Sequence, residues 1–439
     1  MKMTKYEAVI IGGGLAGLIS AIELAEAGKT VAVLEKSSKL GGRAMTISKN
    51  GALFNLGGHA LYIGGEASQI FKRYGLKLTG SKPSTKGLAI WDNELSPLPG
   101  DPKSMLTSKL LNWSGKAKLL STIVKVTRAN PDSLRRISLR EWAESEIADP
   151  MVRHIFYALS RTATYTQDPD KQLAGPVLKQ VQRSLRSGVK YLDGGWQTII
   201  DQLVDKAKRA GVAIHSGTTA LEIVHDQGKV QGVACSDGQL IPCSYVISTA
   251  PPAATYQMTK GAENTVLRRW KDEARPAVAA SLDLALKRLP IGDRQFVIGL
   301  DQPVFFSDHS RAARLSDNGT IVVHLTKYNG AGQQDAKSDE RLLESMMNLI
   351  HPGWENEVVS RQYLPNMTIV HDYPHLGRTI FEVGPGVPEI KGLCVAGDWA
   401  SHGEMLADAS AASAIRAAKH ILEADRYETG QLGKISVAN

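Results

Sequence analysis

The feature that most constrains this chain is the segment VIIGGGLAGL at residues 9–18, where an apolar run ends in glycines. Residues 7–11 have the β-branched, apolar pattern of a buried parallel strand, and residues 15–27 are predicted to form a helix that Gly28 ends. A second strand is expected over residues 30–34, with Glu35 at its end. A strand, a glycine turn, a helix and a second strand with a terminal carboxylate form a unit that binds a dinucleotide.

Each part of this unit has its own physical task. Gly12 makes the turn, Gly14 lets the backbone approach a pyrophosphate, and Gly17 lets the helix pack on the strand. Amides at the helix N-terminus donate to the phosphates, and Glu35 accepts hydrogen bonds from a ribose diol. The predicted dinucleotide contacts are Gly12, Gly14, Leu15, Ala16, Gly17, Glu35 and Lys36. The motif does not by itself distinguish NAD from FAD.

Length and charge narrow the class of protein. A chain of 439 residues suggests two or three domains, and 43% hydrophobic with 22% charged residues is an ordinary globular composition. The net charge of +8 is compatible with a nucleic acid, an anionic membrane or an acidic substrate. The sequence has no arginine-rich tail, zinc-ligand spacing or RNA-binding aromatic motif, so no nucleic-acid partner is expected.

The cysteines and the N-terminal segment indicate a cytoplasmic protein. The cysteines are Cys235, Cys243 and Cys394. None forms a CxxC pair, so neither a disulfide framework nor a metal site is expected. The glycines at 12–14 interrupt the apolar run that a secretion signal needs, and Glu23 and Glu26 argue against a membrane span.

Four further segments carry a family resemblance. LGGR at residues 40–43 and FNLGGH at 54–59 follow the first motif, and YLDGGW at 191–196 and GLCVAGD at 392–398 come much later. With these segments the chain resembles the superfamily of flavin amine oxidases, phytoene desaturases and protoporphyrinogen oxidases. The resemblance extends from the beginning of the chain to its end.

The resemblance implies FAD, bound non-covalently, as the cofactor. It places Arg43 near the FAD phosphates, the Gly57–Gly58 turn near the flavin ring, and the acidic Asp398 at the ribityl-phosphate region. The strand at 219–223 would touch adenine, and Cys394 would be a core residue. The contacts that the resemblance adds are Gly42, Arg43, Gly57, Gly58, His59, Ala220, Gly397, Asp398, Met405 and Leu406.

The resemblance also implies an α/β fold with interleaved domains. Residues 1–80, 189–250 and 376–439 would form a Rossmann-like FAD-binding domain of the glutathione-reductase type. Residues 81–188 and 251–375 would form an α+β substrate domain with a helical cap.

Helical periodicity at residues 104–127 leaves two interpretations open. The apolar residues recur at steps of three and four: Leu106, Leu110, Trp113, Ala117, Leu120 and Val124, with several lysines between them. One interpretation is a cap helix packed over the substrate cavity with a solvated basic face. The other is a peripheral membrane contact, in which the lysines meet anionic headgroups and the apolar side chains enter the lipid.

Two departures from the amine-oxidase pattern bear on the substrate. Leu406 stands where those oxidases have a cage aromatic, before a run that reads ADAS at residues 407–410. The lysine that they place on a strand is missing, because the segment at 278–284 offers Ala279 or Ala280 instead. These features favour dehydrogenation of a hydrophobic small molecule by hydride transfer to flavin N5, with oxygen or a quinone as electron acceptor. A flavin amine oxidase and a non-catalytic binding protein on the same fold are the alternatives.

His59 is the candidate for substrate orientation or proton transfer, and a packing role beside the flavin is the alternative. Tyr165 and His402 are weaker candidates for the cavity. Asp408 is expected to cap or brace the C-terminal helix near the ring.

Overall fold

The computed structural model describes residues 5–84, 86–330 and 335–428. Residues 1–4, at the start of the segment considered as a secretion signal, and residues 429–439, at the end of the proposed FAD-binding domain, lie outside this range.

The chain alternates strands and helices in its first part and is more mixed later. The strands are β1 Ala8–Ile11, β2 Val31–Glu35, β3 Thr46–Lys49, β4 Ala52–Asn55, β5 Leu61–Tyr62, β6 Gly80–Ser81, β7 Leu88–Trp91, β8 Glu94–Pro97, β9 Val189–Leu192, β10 Ala213–Ser216, β11 Ala220–Asp226, β12 Lys229–Cys235, β13 Leu240–Pro242, β14 Tyr245–Ser248, β15 Ala277–Leu286, β16 Phe296–Gly299, β17 Val304–Asp308, β18 Ile321–Asn329, β19 Val358–Val370 and β20 Leu393–Val395. The α-helices are α1 Leu15–Glu26, α2 Glu66–Arg73, α3 Pro102–Thr107, α4 Trp113–Arg128, α5 Leu139–Glu146, α6 Pro150–Thr164, α7 Ala174–Ser187, α8 Gln197–Arg209, α9 Pro252–Gln257, α10 Val266–Glu273, α11 Ala336–Ile350 and α12 Leu406–Glu428.

A five-stranded parallel sheet in the order β10-β2-β1-β14-β20 carries the predicted dinucleotide unit. All residues of β1, β2, β14 and β20 are buried, as expected for a parallel sheet covered on both faces. Helices α1, α8 and α12 pack on one face through a shared apolar core. The carboxyl ends of β1, β2, β14 and β20 lie at one edge of the sheet, so the loops that follow them converge there.

A second sheet has seven strands in the order β19-β15-β18-β17-β16-β7-β8. Its strands all come from residues 88–97 and 277–370, inside the segments assigned to the substrate domain, whereas the parallel sheet uses residues 8–35, 213–248 and 393–395. A three-stranded antiparallel sheet of β11, β12 and β13 lies beside the parallel sheet. The α/β fold class is confirmed.

The helical cap consists of α3 to α7, and its core is shared with strands of the seven-stranded sheet. The single helix expected over residues 104–127 is wrong, because the chain forms α3 and α4 with a break at residues 108–112. Asn112 starts the second helix, since its side chain accepts a hydrogen bond from the Gly115 amide at 2.8 Å.

The apolar stripe predicted to pack over the cavity is exposed instead. Leu106, Trp113, Leu120 and Val124 are 64%, 73%, 54% and 46% exposed. The buried face of α4 is formed by Gly115, Lys116, Leu119, Thr122 and Val126. Periodicity located an amphipathic segment but did not tell which face the neighbouring helices cover.

Candidate functional site

The glycine turn between β1 and α1 has little room for larger residues at two of its positions. Gly12 has a φ of +105°, and a Cβ there would lie 2.4 Å from Thr249 Oγ1. A Cβ at Gly17 would lie 1.9 Å from the Gly12 carbonyl oxygen, so only glycine allows this contact between helix and strand.

Gly14 and Gly42, in contrast, border open space. A Cβ at Gly14 would meet nothing closer than the Gly41 oxygen at 3.8 Å, and one at Gly42 nothing closer than the Gly14 Cα at 3.8 Å. The predicted contacts Leu15 and Ala16 form the first turn of α1, whose amides point out of the helix end. An anionic group therefore fits at this helix end.

Glu35 ends β2 beside the turn and is buried. Its carboxylate accepts hydrogen bonds from the Gly13 amide at 2.8 Å and the Ser37 amide at 2.9 Å. These bonds fix the carboxylate at the edge where the first turn and the loop after β2 meet. The next residue, Lys36, is exposed.

The segment predicted to touch adenine begins next to the backbone of Glu35. The Thr218 amide donates to the Glu35 carbonyl at 2.9 Å, and the Gly217 amide donates to the Ser37 carbonyl at 3.0 Å. β11 begins two residues later at Ala220. Ala220 therefore lies two residues after the backbone hydrogen bond between Thr218 and Glu35.

Arg43 and Asp398 meet although they are distant in the sequence. The Arg43 guanidinium donates to both carboxylate oxygens and also to the Ile369 carbonyl at 2.6 Å. Asp398, which follows Gly397 after β20, is buried and accepts a further hydrogen bond from the His371 amide at 2.6 Å. Burial is the largest influence and opposes ionisation of Asp398, but the charge and hydrogen bonds of Arg43, together with His371, outweigh it and hold the pKa of the carboxyl below its usual value.

The turn at Gly57 and Gly58 packs against the seven-stranded sheet. A Cβ at Gly57 would lie 2.3 Å from Met367 Cε, and one at Gly58 would lie 2.5 Å from His324 Nε2. The Gly58 carbonyl accepts a hydrogen bond from the Tyr165 hydroxyl at 3.0 Å. The Gly58 amide has no acceptor within the described part of the chain, so it is available to a bound group.

Both ring nitrogens of His59 face backbone carbonyl oxygens, and the neutral imidazole donates a hydrogen bond to one of them. Nδ1 lies 2.8 Å from the Gly57 carbonyl oxygen and Nε2 lies 2.9 Å from the Arg43 carbonyl oxygen. The ring also packs edge-on against Trp196, with a centroid distance of 5.1 Å, and burial lowers its pKa. The geometry favours the packing alternative for His59 over proton transfer.

The start of α12 combines strain with a buried carboxylate. Leu406 has a φ of +57°, which is costly for an aliphatic residue, and Met405 before it is buried. Asp408 accepts a hydrogen bond from the Ala67 amide at 2.9 Å and pairs with Arg183 of α7, which gives it the bracing role expected from the sequence. The N-terminal end of α12 is therefore anchored to α2 and to the cap.

Sequence reasoning missed Ser281. Neither Ala279 nor Ala280 is the residue of β15 beside the glycine turn, because Ser281 Oγ lies 3.9 Å from a Cβ built at Gly57. Its hydroxyl is buried and has no hydrogen-bond partner among the described residues. The alternation of β15 carried the signal, but the register to the turn was not visible in the sequence.

Of the weaker candidates, Tyr165 reaches this turn. His402 does not reach it in the same way, since its Nε2 lies 3.1 Å from the Val383 carbonyl oxygen and its ring packs against Phe381.

The parallel sheet, the glycine turn, the buried carboxylate after β2 and the Arg43–Asp398 pair define a dinucleotide-binding oxidoreductase fold. The open backbone at Gly14 and Gly42, the free Gly58 amide and the orphaned Ser281 hydroxyl fit a bound FAD. The family model for flavin-containing amine oxidoreductases matches residues 15–422, and the chain belongs to this family. FAD is its cofactor.

Curated and solved relatives agree with this membership. A 4,4'-diaponeurosporene oxygenase of Staphylococcus aureus is 24% identical over 311 residues, which cover 63% of this chain and 61% of that protein. An oxidoreductase from Methanosarcina mazei has 21% identity and a TM-score of 0.75, over 95% of this chain and 99% of that one. A putrescine oxidase has 15% identity and a TM-score of 0.74, over 96% and 99% of the two chains. The two solved structures share the fold of this chain.

No helix among residues 5–84, 86–330 and 335–428 is long and apolar enough to span a bilayer.

Proposed function

We propose that this protein is an FAD-dependent dehydrogenase that introduces a double bond into an apolar small molecule. The observation that carries the proposal is the apolar wall at the start of α12. Met405 and Leu406 pack there with Ala277, Val370 and Tyr373. An aliphatic side chain at position 406 lacks the negative π-face that stabilises a cation, and it gains instead from burying apolar surface.

The proposed FAD contacts follow the convergence of loops at the sheet edge. We assign the pyrophosphate to the first turn and Arg43, the ribose to Glu35, and the flavin end to the Gly57–Gly58 turn and the start of α12. The full set is Gly12, Gly14, Leu15, Ala16, Gly17, Glu35, Lys36, Gly42, Arg43, Gly57, Gly58, His59, Ala220, Gly397, Asp398, Met405 and Leu406. The interleaved domain boundaries given above are part of the same proposal.

When bound, FAD supplies the two-electron acceptor of this reaction. The residues of the chain bind it, exclude water and stabilise charge. The positive end of the α12 dipole at Met405 and Leu406 favours negative charge beside it. His59 is assigned to packing beside the flavin, because both of its ring nitrogens already face backbone carbonyl oxygens.

The cofactor is proposed to be held without a covalent bond. Cys394 lies on β20 in the core of the parallel sheet. Burial raises the pKa of its thiol to about 12, so the reactive thiolate is suppressed.

Conversion of a partly saturated polyene tests the proposed reaction. Each new double bond lengthens the conjugated system, so the product absorbs at longer wavelength. We expect this shift with the purified holoprotein and none with an Asp398→Ala variant depleted of FAD. Turnover of an amine without any polyene conversion would favour amine oxidation, and a purified protein without flavin would favour a binding protein.

The electron acceptor is proposed to be oxygen or a quinone. Reoxidation of the reduced protein in air with release of hydrogen peroxide supports oxygen. Reoxidation only on addition of a soluble quinone supports the second acceptor.

An apolar substrate also needs a route from the lipid phase, and we propose that the cap supplies a docking surface for an anionic membrane. We define the α4 apolar surface as four exposed residues of α4 together with Leu106, an exposed residue of α3. The α4 residues are Trp113, Leu120, Ile123 and Val124. The exposed lysines beside it are Lys103, Lys109, Lys118 and Lys125. Apolar side chains that enter the interface and lysines that meet headgroups are the pattern of an interfacial helix.

Co-sedimentation with vesicles of phosphatidylcholine and phosphatidylglycerol tests this surface. The double variant Trp113→Ser, Leu120→Ser should stay in the supernatant while the wild type sediments. The matched control is Leu221→Ser, Leu240→Ser, which removes two exposed leucines of the three-stranded sheet. Equal sedimentation of wild type and both variants would refute the α4 apolar surface.

A further inference from the structure

A buried polar cluster that the proposed chemistry does not use lies against the Gly57–Gly58 turn. Asp283 of β15 and His324 of β18 are directly opposite in the antiparallel register. His324 Nδ1 lies 2.5 Å from Asp283 Oδ1, and the two side chains are 2% and 5% exposed. A hydrogen-bonded pair of polar side chains this deep is costly to bury unless its remaining polar atoms are also satisfied.

The carboxylate side of the pair continues to the strand that leads into the turn. Asp283 Oδ2 accepts a hydrogen bond from Gln362 Nε2 at 3.0 Å. The same Gln362 amide donates to the Asn55 carbonyl at 3.0 Å. Asn55 is the last residue of β4, two positions before Gly57. The pair is therefore connected to the turn through one side chain.

The imidazole side of the pair contacts the turn directly. His324 Nε2 lies 2.6 Å from Thr326 Oγ1 and 2.5 Å from the place where a Cβ on Gly58 would stand. Tyr165 OH would lie 2.7 Å from that same position and donates to the Gly58 carbonyl at 3.0 Å. Gly58 is thus enclosed by His324 and Tyr165, and no larger residue fits between them.

Other titratable groups surround the imidazole. His309 stacks on it with a centroid distance of 5.3 Å, and burial, followed by the charges of His324 and Arg311, lowers the pKa of His309 well below its usual value. His59, Tyr165 and His309 interact with the pair, and Tyr191 and Arg311 lie beside His309. Asp283 is the direct hydrogen-bond partner of His324 Nδ1.

We infer that Asp283 and His324 are positioning residues that hold the Gly57–Gly58 turn in the conformation that receives the flavin. This inference rests on the proposed cofactor contacts at Gly57 and Gly58. Two apolar residues of similar shape would stabilise the sheet equally well or better, so packing alone does not account for a buried hydrogen-bonded pair at this point. The pair holds the turn on the side of the seven-stranded sheet, while the Gly58 amide stays available to the cofactor.

The test compares Asp283→Asn with a matched control. Asp339 is also a buried carboxylate paired with a β18 residue, since its Oδ1 lies 2.6 Å from Lys327 Nζ. Asp339→Asn therefore removes a buried carboxylate of α11 that pairs with the same sheet, without touching the Gly58 environment. The measurements are FAD affinity, the visible circular dichroism of the bound flavin, and hydrogen exchange at residues 57–59.

For Asp283→Asn we expect FAD binding to weaken about tenfold, which corresponds to roughly 1.4 kcal/mol, the flavin dichroism to change, and exchange at 57–59 to accelerate. Asp339→Asn should leave all three as in the wild type and lower only the melting temperature. Identical behaviour of the two variants in all three measurements would overturn the inference. A wild type that binds no FAD would instead refute the proposed function, because exchange at the turn is measured without cofactor as well.

If Asp283→Asn does not fold, Thr326→Val keeps the carboxylate and removes only the hydroxyl at His324 Nε2. We then expect changes in the same directions but smaller. A Thr326→Val protein with wild-type dichroism and exchange would contradict the inference.

Discussion

Arg43 and Asp398 form a two-pronged ion pair between the loop after β2 and the loop after β20, with Nη1–Oδ2 and Nη2–Oδ1 distances of 3.0 and 2.7 Å. The pair joins the two ends of the chain at the sheet edge where the FAD contacts are proposed. The Asp398 side chain is 3% exposed, whereas the Arg43 side chain is 40% exposed. Arg43 can therefore turn toward a phosphate while Asp398 remains fixed by the His371 amide.

We predict that Asp398→Asn weakens FAD binding by about tenfold and lowers the free energy of unfolding by about 2 kcal/mol. The stability effect is below that of a fully buried pair because Arg43 retains solvent contact. Urea unfolding of the apoprotein and fluorescence titration with FAD measure the two quantities. The control is Asp170→Asn, which breaks an exposed pair with Arg140 and should change neither.

The same carboxyl predicts an acid dependence. Its pKa is lower in the folded protein than its usual 3.8, so the unfolded chain binds its proton first. The stabilisation is present above about pH 4 and is lost as the pH falls through the folded pKa. Between about pH 5 and about pH 3, the free energy of unfolding should fall more for the wild-type apoprotein than for the Asp398→Asn apoprotein. Parallel curves for the two proteins would contradict the assignment.

Glu35→Ala should weaken FAD binding by about tenfold or more, since a hydrogen-bonded carboxylate on a ribose diol contributes roughly 1.5–3 kcal/mol. Part of the effect comes from losing the bonds to the Gly13 and Ser37 amides.

Acid precipitation of the wild type should release all of its flavin. Yellow colour that remains in the pellet would refute non-covalent binding.

The positive φ of Leu406 predicts that glycine at this helix position destabilises the protein less than alanine does. Leu406→Ala and Leu406→Gly both remove the apolar contact with the wall, but only glycine adopts a φ of +57° without strain. Leu406→Gly should therefore be more stable than Leu406→Ala by about 1 kcal/mol, the reverse of ordinary helix propensity. Thermal unfolding of the two variants decides, and an alanine variant of equal or higher stability would argue against strain at this position.

Local sequence signals predicted the dinucleotide unit because its constraints are local. The buried strands, the turn glycines and Glu35 all lie within residues 8–35, and each follows from backbone geometry or strand periodicity. The resemblance extended this to Arg43 and Asp398, which the structure brings together. The α/β class followed from the same observations.

What the sequence did not predict depends on register and on which surfaces are covered. The Asp283–His324 pair requires the pairing of β15 with β18, which no local pattern specifies. The break between α3 and α4 depends on the Asn112 cap, which the apolar periodicity obscured. The φ of Leu406 is set by the loop that enters α12, so the residue type gave no indication of it.

Anaerobic reduction of the bound flavin tests the central claim most directly. The holoprotein is mixed, without oxygen, with putrescine, with a simple primary amine, and with a partly saturated polyene, and the flavin absorbance is followed. The apolar wall around Leu406 predicts that the polyene bleaches the flavin and that both amines leave it oxidised. Stoichiometric bleaching by an amine at a catalytically useful rate, with none by the polyene, would contradict the proposed function and establish an amine oxidase.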